Sequence, residues 1–167
     1  GSEMCIRDRK KKANIKPEEK RKTAYHEAGH AILAHLLPTQ DPVRQISIIP
    51  SGRALGYTLN PPTEDKYSVY KSELCENIMM LLGGRAAEEI VYGDVSGGAS
   101  NDIMRATQTA RKMVTELGMS DVIGNVRLGS DRDDGEVFLG RDFNSTVNYS
   151  DTTASLIDSE IKKIIDE

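Results

Sequence analysis

The segment His26-Glu27-Ala28-Gly29-His30 carries the residue types that a hydrolytic metal site requires. On a helix, His26 and His30 lie one turn apart on the same face, with about 5–6 Å between their Cβ atoms. Two imidazoles at this spacing can both bind one Zn²⁺, at about 2.0–2.1 Å. Glu27 lies about 100° further round the helix, where it can take a proton from a water molecule on the metal. The segment therefore predicts a zinc site with Glu27 as the general base.

A third protein ligand is expected, because catalytic zinc keeps three protein ligands and a water molecule. The known arrangement with His six residues and Gly three residues after the second His is absent, since Leu36 and Leu33 hold those positions. His35 lies about 140° round the helix from His30 and is expected at the surface or in packing. The third ligand should therefore be a carboxylate, and the helix-borne candidates are Glu88, Glu89 and Asp102.

The elements around the first segment are predicted from periodicity and from turn residues. A helix starts at Pro17, because Pro followed by two glutamates favours a helix start, and it stops at Pro38. Ile46 and Ile48 alternate with polar neighbours and precede a Pro-Ser-Gly turn at 50–52, which predicts a β-hairpin. The predicted strands are 44–49 and 54–59.

Helical periodicity returns in three later stretches, and a long loop is predicted over 119–149. In the second helix Gly83 and Gly84 each cost about 1 kcal/mol relative to Ala. Close approach of another backbone would offset that cost. Ser100 is the expected N-cap of the third helix, and Gly118 suits the position after its end. The predicted helices are 68–92, about 101–117, and from about 150 to the end of the sequence.

Composition excludes several classes of protein. The 167 residues are 38% hydrophobic and 29% charged, and no stretch approaches the ~20 apolar residues of a membrane span. Two cysteines cannot make a disulfide scaffold. Aromatic residues are 5% of the chain and Trp is absent, so stacking on single-stranded nucleic acid is not expected.

The positive charge is concentrated at the N-terminus. Residues 1–22 hold nine Lys/Arg and four Asp/Glu, a net of +5, whereas the other 145 hold 13 and 22, a net of −9. Gly1-Ser2 is typical of a cleaved tag. Residues 1–14 are therefore expected to be a tag scar and a disordered basic linker, and 15–167 a single domain.

Five separated segments, in this order, closely resemble the peptidase domain of the FtsH family. This is the family of membrane-anchored, ATP-dependent zinc metalloproteases of bacteria, mitochondria and chloroplasts. The resemblance covers about residues 15–167. The segments are TAYHEAGHA, IIPSGRALGYT, GGRAAEEIVYG, SGGASNDI and GEVFLGR.

The resemblance implies a mainly α fold, a helical cluster with one small β-hairpin. It implies that His26 and His30 bind one zinc ion per chain and that Glu27 is the catalytic base. Asp102, 72 residues after His30, matches the family's third zinc ligand. Glu88 matches an acidic position close to the metal, where it would orient a zinc histidine. A solvated helix glutamate is the alternative for Glu88.

The hairpin is expected to have a role in binding substrate. An extended polypeptide could add as a strand to its free edge beside the zinc, at Ile46, Ser47 and Ile48. The alternative is that Ile46, Ile48 and Ile49 cover the core. Both could hold for opposite faces.

The implied activity is that of a zinc metalloendopeptidase of protein quality control, acting on unfolded polypeptides. The family works as a homo-hexamer with transmembrane segments and an ATPase module before this domain. The sequence contains no GxxxxGK[ST] loop, so ATP is expected to act only in that module.

The resemblance also implies a location. The full-length protein is expected to be membrane-anchored, with this domain facing the bacterial cytoplasm or an organelle interior. The fragment itself is expected to be soluble and to contact the membrane only through missing segments. Its C-terminal end is expected to be short of the family pattern.

The sequence offers two alternatives to an enzyme. The chain could be a non-catalytic, zinc-containing module that supports assembly of the ring, but an intact Glu27 favours an enzyme. Binding of nucleic acid or lipid through the basic arm is not expected.

Overall fold

The structure, a computed structural model, describes residues 15–49, 55–62, 68–129 and 148–167. Within these residues the chain forms four α-helices and a two-stranded antiparallel sheet. The mainly α fold with one small hairpin is therefore confirmed. The elements are α1 (Pro17–Leu36), β1 (Gln45–Ser47), β2 (Tyr57–Leu59), α2 (Lys71–Tyr92), α3 (Ser100–Thr115) and α4 (Asp151–Asp166).

The first two helices begin with different local signals. Helix α1 begins at Pro17, as predicted, and Glu18 and Glu19 place negative charge at the positive end of its dipole. Helix α2 begins at Lys71, three residues later than predicted. There the Glu73 carboxylate accepts a hydrogen bond from the Tyr70 backbone N–H at 3.2 Å, so the chain stays extended up to Tyr70.

The expected N-cap of α3 was wrong by one residue. Ser100 is the first helical residue and Ala99 occupies the N-cap position. A short 3₁₀ turn, Gly97–Ala99, precedes the helix, and the Ser96 side chain caps that turn by accepting from the Gly98 N–H at 3.1 Å. Because the turn is capped by Ser96, α3 begins without a side-chain cap of its own. Its end is Thr115, two residues before the predicted one.

The backbones of helices α1 and α2 approach each other closely at Gly29 and Gly83. A Cβ added to Gly29 would lie 2.2 Å from the carbonyl oxygen of Gly83, and one added to Gly83 would lie 2.8 Å from the carbonyl oxygen of Gly29. The expected close approach of another backbone at Gly83 is therefore confirmed.

The hydrophobic core lies between α2, α3 and α4, on the far side of α2 from this crossing. Ile157 and Ile161 of α4 face it. The buried cluster consists of Ile78, Leu81, Ala106, Ala110, Met113, Val114, Ile157 and Ile161.

The hairpin packs beside α1 and contributes little to this core. Its strands pair with Ile46 opposite Thr58, and each spans three residues. Ile46, Ile48 and Ile49 are 47%, 39% and 73% exposed, so the interpretation that they cover the core was wrong.

Several predictions fall outside the described residues. These concern the N-terminal segment 1–14, the hairpin turn at 50–52, part of the loop 60–67, and GEVFLGR within 130–147. Among the described residues, no helix is long and apolar enough to cross a membrane.

The glycine crossing gives a direct test of the fold. Gly29→Ala should lower the free energy of unfolding, because the new methyl group meets backbone atoms that cannot rotate away. Overpacking of this kind costs about 1–3 kcal/mol, and it must exceed the ~1 kcal/mol that Ala gains over Gly in a helix. Urea denaturation would measure the difference.

Gly97→Ala is the matched control, because a Cβ at Gly97 meets nothing within 4 Å. It should leave the unfolding midpoint unchanged. A Gly29→Ala protein as stable as wild type would show that the helices do not cross this closely.

Candidate metal centre

Three side chains from two helices converge at one point. The Nε2 atoms of His26 and His30 on α1 lie 3.0 Å apart. The Asp102 Oδ2 atom, in the first turn of α3, lies 3.2 Å from the first and 3.4 Å from the second. The structure therefore brings together the three residues that the resemblance implied as zinc ligands.

The other nitrogen of each imidazole is held by an acceptor. His30 Nδ1 lies 2.8 Å from the backbone carbonyl oxygen of Met80, and His26 Nδ1 lies 2.8 Å from Glu88 Oε1. A carbonyl oxygen can only accept, and so can an ionised carboxylate. Each Nδ1 therefore carries a proton, and Nε2 is the nitrogen of each ring that faces the other ring and Asp102.

Two imidazole lone pairs and a carboxylate oxygen at these distances repel one another unless a proton or a cation lies among them. Burial lowers the pKa of His26, but the hydrogen bonds to Asp102 and Glu88 outweigh burial, so the pKa of His26 lies above its ordinary value. Burial of Asp102 raises the pKa of its carboxyl, but the hydrogen bonds to the two histidines outweigh burial, so this pKa lies below its ordinary value. Two nitrogens and one carboxylate oxygen are the donors that Zn²⁺ takes in catalytic sites, so the residues fit a zinc ion.

Glu88 is 6% exposed and is not a solvated helix residue, so that alternative was wrong. Its Oε2 accepts from the Ser96 backbone N–H at 2.8 Å, and its Oε1 accepts from the Ser96 hydroxyl at 3.1 Å. Burial raises the pKa of Glu88, but these bonds and the one from His26 lower it overall. The carboxylate is thus ionised and fixes the ring of His26. Glu89, the neighbouring candidate, is exposed.

Gly84 determines where the ring of His26 can lie. A Cβ at this position would be 2.5 Å from both Nε2 and Cε1 of His26. The imidazole therefore lies flat against the backbone of α2. The glycine pair predicted a close neighbour, but the sequence did not indicate that the neighbour of Gly84 is an imidazole.

The Glu27 side chain contacts the hairpin. It is 7% exposed, and its Oε2 accepts a hydrogen bond of 2.7 Å from the Thr58 hydroxyl on β2. His35, further along α1, is exposed, as expected. Sequence reasoning missed Thr58, Ser96 and the Met80 carbonyl, because each reaches the site from a different element.

Two histidines one turn apart, an adjacent glutamate and a carboxylate from another helix form the residue pattern that HExxH metallopeptidases use to hold zinc. Comparison with known proteins makes the class more specific. The model of peptidase family M41 matches residues 13–167, and the chain belongs to this family.

The curated relatives agree with this assignment. The chain is 53% identical over 156 residues to "ATP-dependent zinc metalloprotease FtsH 3" of Symbiobacterium thermophilum. The matched residues cover 93% of the chain and 25% of the relative. It is 55% identical over 152 residues to "ATP-dependent zinc metalloprotease FtsH" of Thermotoga maritima, covering 90% and 25%. The similar protein of Myxococcus xanthus is 53% identical over 148 residues, covering 89% and 23%. The chain thus spans about a quarter of the length of these relatives.

The convergence of the imidazoles predicts how the protein responds to metal. Protein stripped of metal should take up Zn²⁺ and release protons, because zinc displaces any proton held among the three acceptors. His26→Ala or His30→Ala should lose this uptake. Isothermal titration in buffers of different ionisation enthalpy would measure both the binding and the protons released.

His35→Ala is the matched control, since it removes an exposed histidine from the same helix and should bind zinc as wild type does. Full zinc content in the double variant His26→Ala/His30→Ala would place the metal elsewhere.

Proposed function

We propose that the chain is a zinc-dependent endopeptidase that hydrolyses peptide bonds in unfolded polypeptides. The observation that carries this proposal is the convergence of two imidazole nitrogens and a carboxylate oxygen, with a buried glutamate adjacent in sequence to His26. The relatives are named zinc metalloproteases, which supports the same chemistry.

In this proposal His26 and His30 hold one zinc ion per chain through Nε2, and Asp102 holds it through a carboxylate oxygen. Glu88 orients His26 and strengthens it as a ligand. Asp102 lies in the first turn of α3, where the helix dipole also favours its negative charge. A site with three protein ligands leaves one position open to water or substrate.

Bound zinc would supply two effects, acidifying a water molecule toward a pKa of ~7 and polarising the scissile carbonyl. The Glu27 carboxylate would take a proton from the attacking water molecule as the water oxygen adds to the carbonyl carbon. Glu27 then returns the proton to the amide nitrogen as the C–N bond breaks, so the amine leaves neutral. Its placement one residue after His26 on a rigid helix suits this role.

The edge of β1 is the proposed place for substrate, at Ile46, Ser47 and Ile48. In the described part of the chain this edge is not paired with another strand. Ile46 lies opposite Thr58, whose hydroxyl bonds to Glu27, so a strand added here would run close to the base. Strand addition requires extended substrate, which favours unfolded polypeptide.

The remaining features come from the relatives and from the family resemblance. The relatives are named ATP-dependent, and we propose that ATP acts in those parts of such proteins that these 167 residues do not match. We also propose a homo-hexamer, anchored in a membrane through other segments, with this domain facing the bacterial cytoplasm or an organelle interior. The sequence carries the basic N-terminal arm, but nothing in it favours nucleic acid as a partner.

A non-catalytic zinc module that supports ring assembly is the alternative. Burying a carboxylate is costly unless its hydrogen bonds are satisfied, and a scaffold has no use for one beside its metal ligands. The buried Glu27 therefore favours the enzyme.

The base is tested by Glu27→Gln, which keeps the size and the hydrogen-bonding reach of the side chain but accepts no proton near neutral pH. Zinc content and thermal midpoint should stay at wild-type values, while cleavage of unfolded casein slows roughly 10²–10⁴-fold. Wild-type activity in this variant would mean that water is activated by another group.

The two carboxylates near the histidines should differ in their effects. Asp102→Asn should weaken zinc retention during dialysis against a chelator, because it removes a ligand charge. Glu88→Gln should keep the metal at moderate chelator concentration but lower activity about 10–100-fold. Losses of this size are typical when a residue that hydrogen-bonds to a metal ligand is replaced. Glu89→Gln, the exposed neighbour on α2, is the control and should change neither. Loss of zinc from Glu88→Gln but not from Asp102→Asn would reverse the two roles.

The substrate class is tested with one protein in two states. The 167-residue chain should cleave a permanently unfolded variant of a stable protein and leave the folded form intact. Opening a core segment of the folded form costs up to its global stability of about 5–15 kcal/mol. Added ATP should change neither rate. Gel electrophoresis would monitor the cleavage. Equal cleavage of the two forms would contradict strand addition of extended substrate.

A further inference from the structure

One contact between the hairpin and α1 is a hydrogen bond from Thr58 to Glu27. The Thr58 Oγ1 atom lies 2.7 Å from Glu27 Oε2 and 3.2 Å from the Glu27 backbone oxygen. A hydroxyl has one proton to donate, and the charged, closer carboxylate oxygen is the stronger acceptor. The proton of Thr58 therefore goes mainly to Oε2.

The environment makes this bond important for Glu27. The side chain is almost fully buried, and a buried carboxylate without donors is strongly disfavoured. Among the residues that the structure describes, Thr58 is the side chain that hydrogen-bonds to it. Removing the donor would leave the carboxylate free to rotate toward other partners.

The hairpin also confines the second oxygen of the carboxylate. A Cβ at Gly56 would lie 3.0 Å from Glu27 Oε1 and 2.7 Å from the backbone oxygen of Ser47. The backbone of the second strand therefore passes directly beside Oε1. One oxygen is bound by Thr58 and the other lies against a glycine, which defines a single orientation for the carboxylate.

We propose that Thr58 is a positioning residue for the catalytic base: its hydroxyl holds Oε2 of Glu27 and so fixes the orientation of the carboxylate that takes the proton from water. This inference rests on the proposed function. Because Thr58 is paired with Ile46, the same residue also links the orientation of the base to the strand whose edge would take the substrate.

Thr58→Val tests the proposal, since it keeps the branched shape of the side chain and removes the donor. It should lower kcat by about tenfold or more, in the range found for outer partners of active-site groups, with KM and zinc content unchanged. Thr58→Ser retains a hydroxyl and should restore most of kcat. Tyr57→Phe, which removes a hydroxyl from the same strand and its contact with Gln45, should leave kcat at the wild-type value.

A readout that does not depend on activity comes from thermal unfolding of the metal-free protein. Thr58→Val should lower the thermal midpoint in the wild-type background, because it leaves a buried carboxylate without its donor. The same change in a Glu27→Ala background should lower the midpoint much less. Equal shifts in the two backgrounds, or an unchanged kcat in Thr58→Val, would overturn the proposal.

Glu27→Gln measured in parallel separates the two levels of the argument. If Glu27→Gln loses activity and Thr58→Val does not, the positioning role fails and the proposed function stands. If Glu27→Gln keeps full activity, Glu27 is not the base and both proposals fail.

Discussion

The site depends on the contact between the backbones of α1 and α2 at Gly29 and Gly83. Packed helices are commonly 8–10 Å apart, with side chains filling the space between them. Here the absence of side chains at the crossing brings the imidazole of His26 flat onto Gly84. From that position Nδ1 reaches Glu88 on α2, and Nε2 reaches the first turn of α3. A methyl group at Gly29 or Gly83 would push the two helices apart. It would therefore separate these groups even though none of them is itself substituted.

The polar groups around the histidines are satisfied in a connected series. Ser96 donates twice to Glu88, Glu88 accepts from His26, and the Met80 carbonyl accepts from His30. Such a network fixes both rings and avoids the cost of unpaired buried groups. The two Nε2 atoms and the Asp102 carboxylate face one another, and this arrangement suits the binding of a cation. Local unfavourable contacts of this kind are typical of functional sites.

How much the sequence could predict depended on whether the signal was local. The i, i+4 spacing of two histidines on a helix is local, and it correctly placed them on one face. Three carboxylates were equal candidates from sequence spacing, because the choice of Asp102 depends on how α1 and α3 both pack against α2. Only the family resemblance selected it. The N-cap at Ser100 was wrong because Ser96, held by Glu88 of another helix, caps an additional turn. The hydroxyl on the hairpin that reaches Glu27 carries no local signal at all.

The central claim is that the two imidazoles and Asp102 bind one zinc ion beside Glu27. X-ray diffraction from crystals of the zinc-loaded protein, recorded on both sides of the zinc absorption edge, tests it most directly. The account predicts one strong anomalous peak per chain, about 2.0–2.2 Å from Nε2 of His26, Nε2 of His30 and a carboxylate oxygen of Asp102. A peak bound by other residues, or none in this position in zinc-loaded crystals, would contradict it.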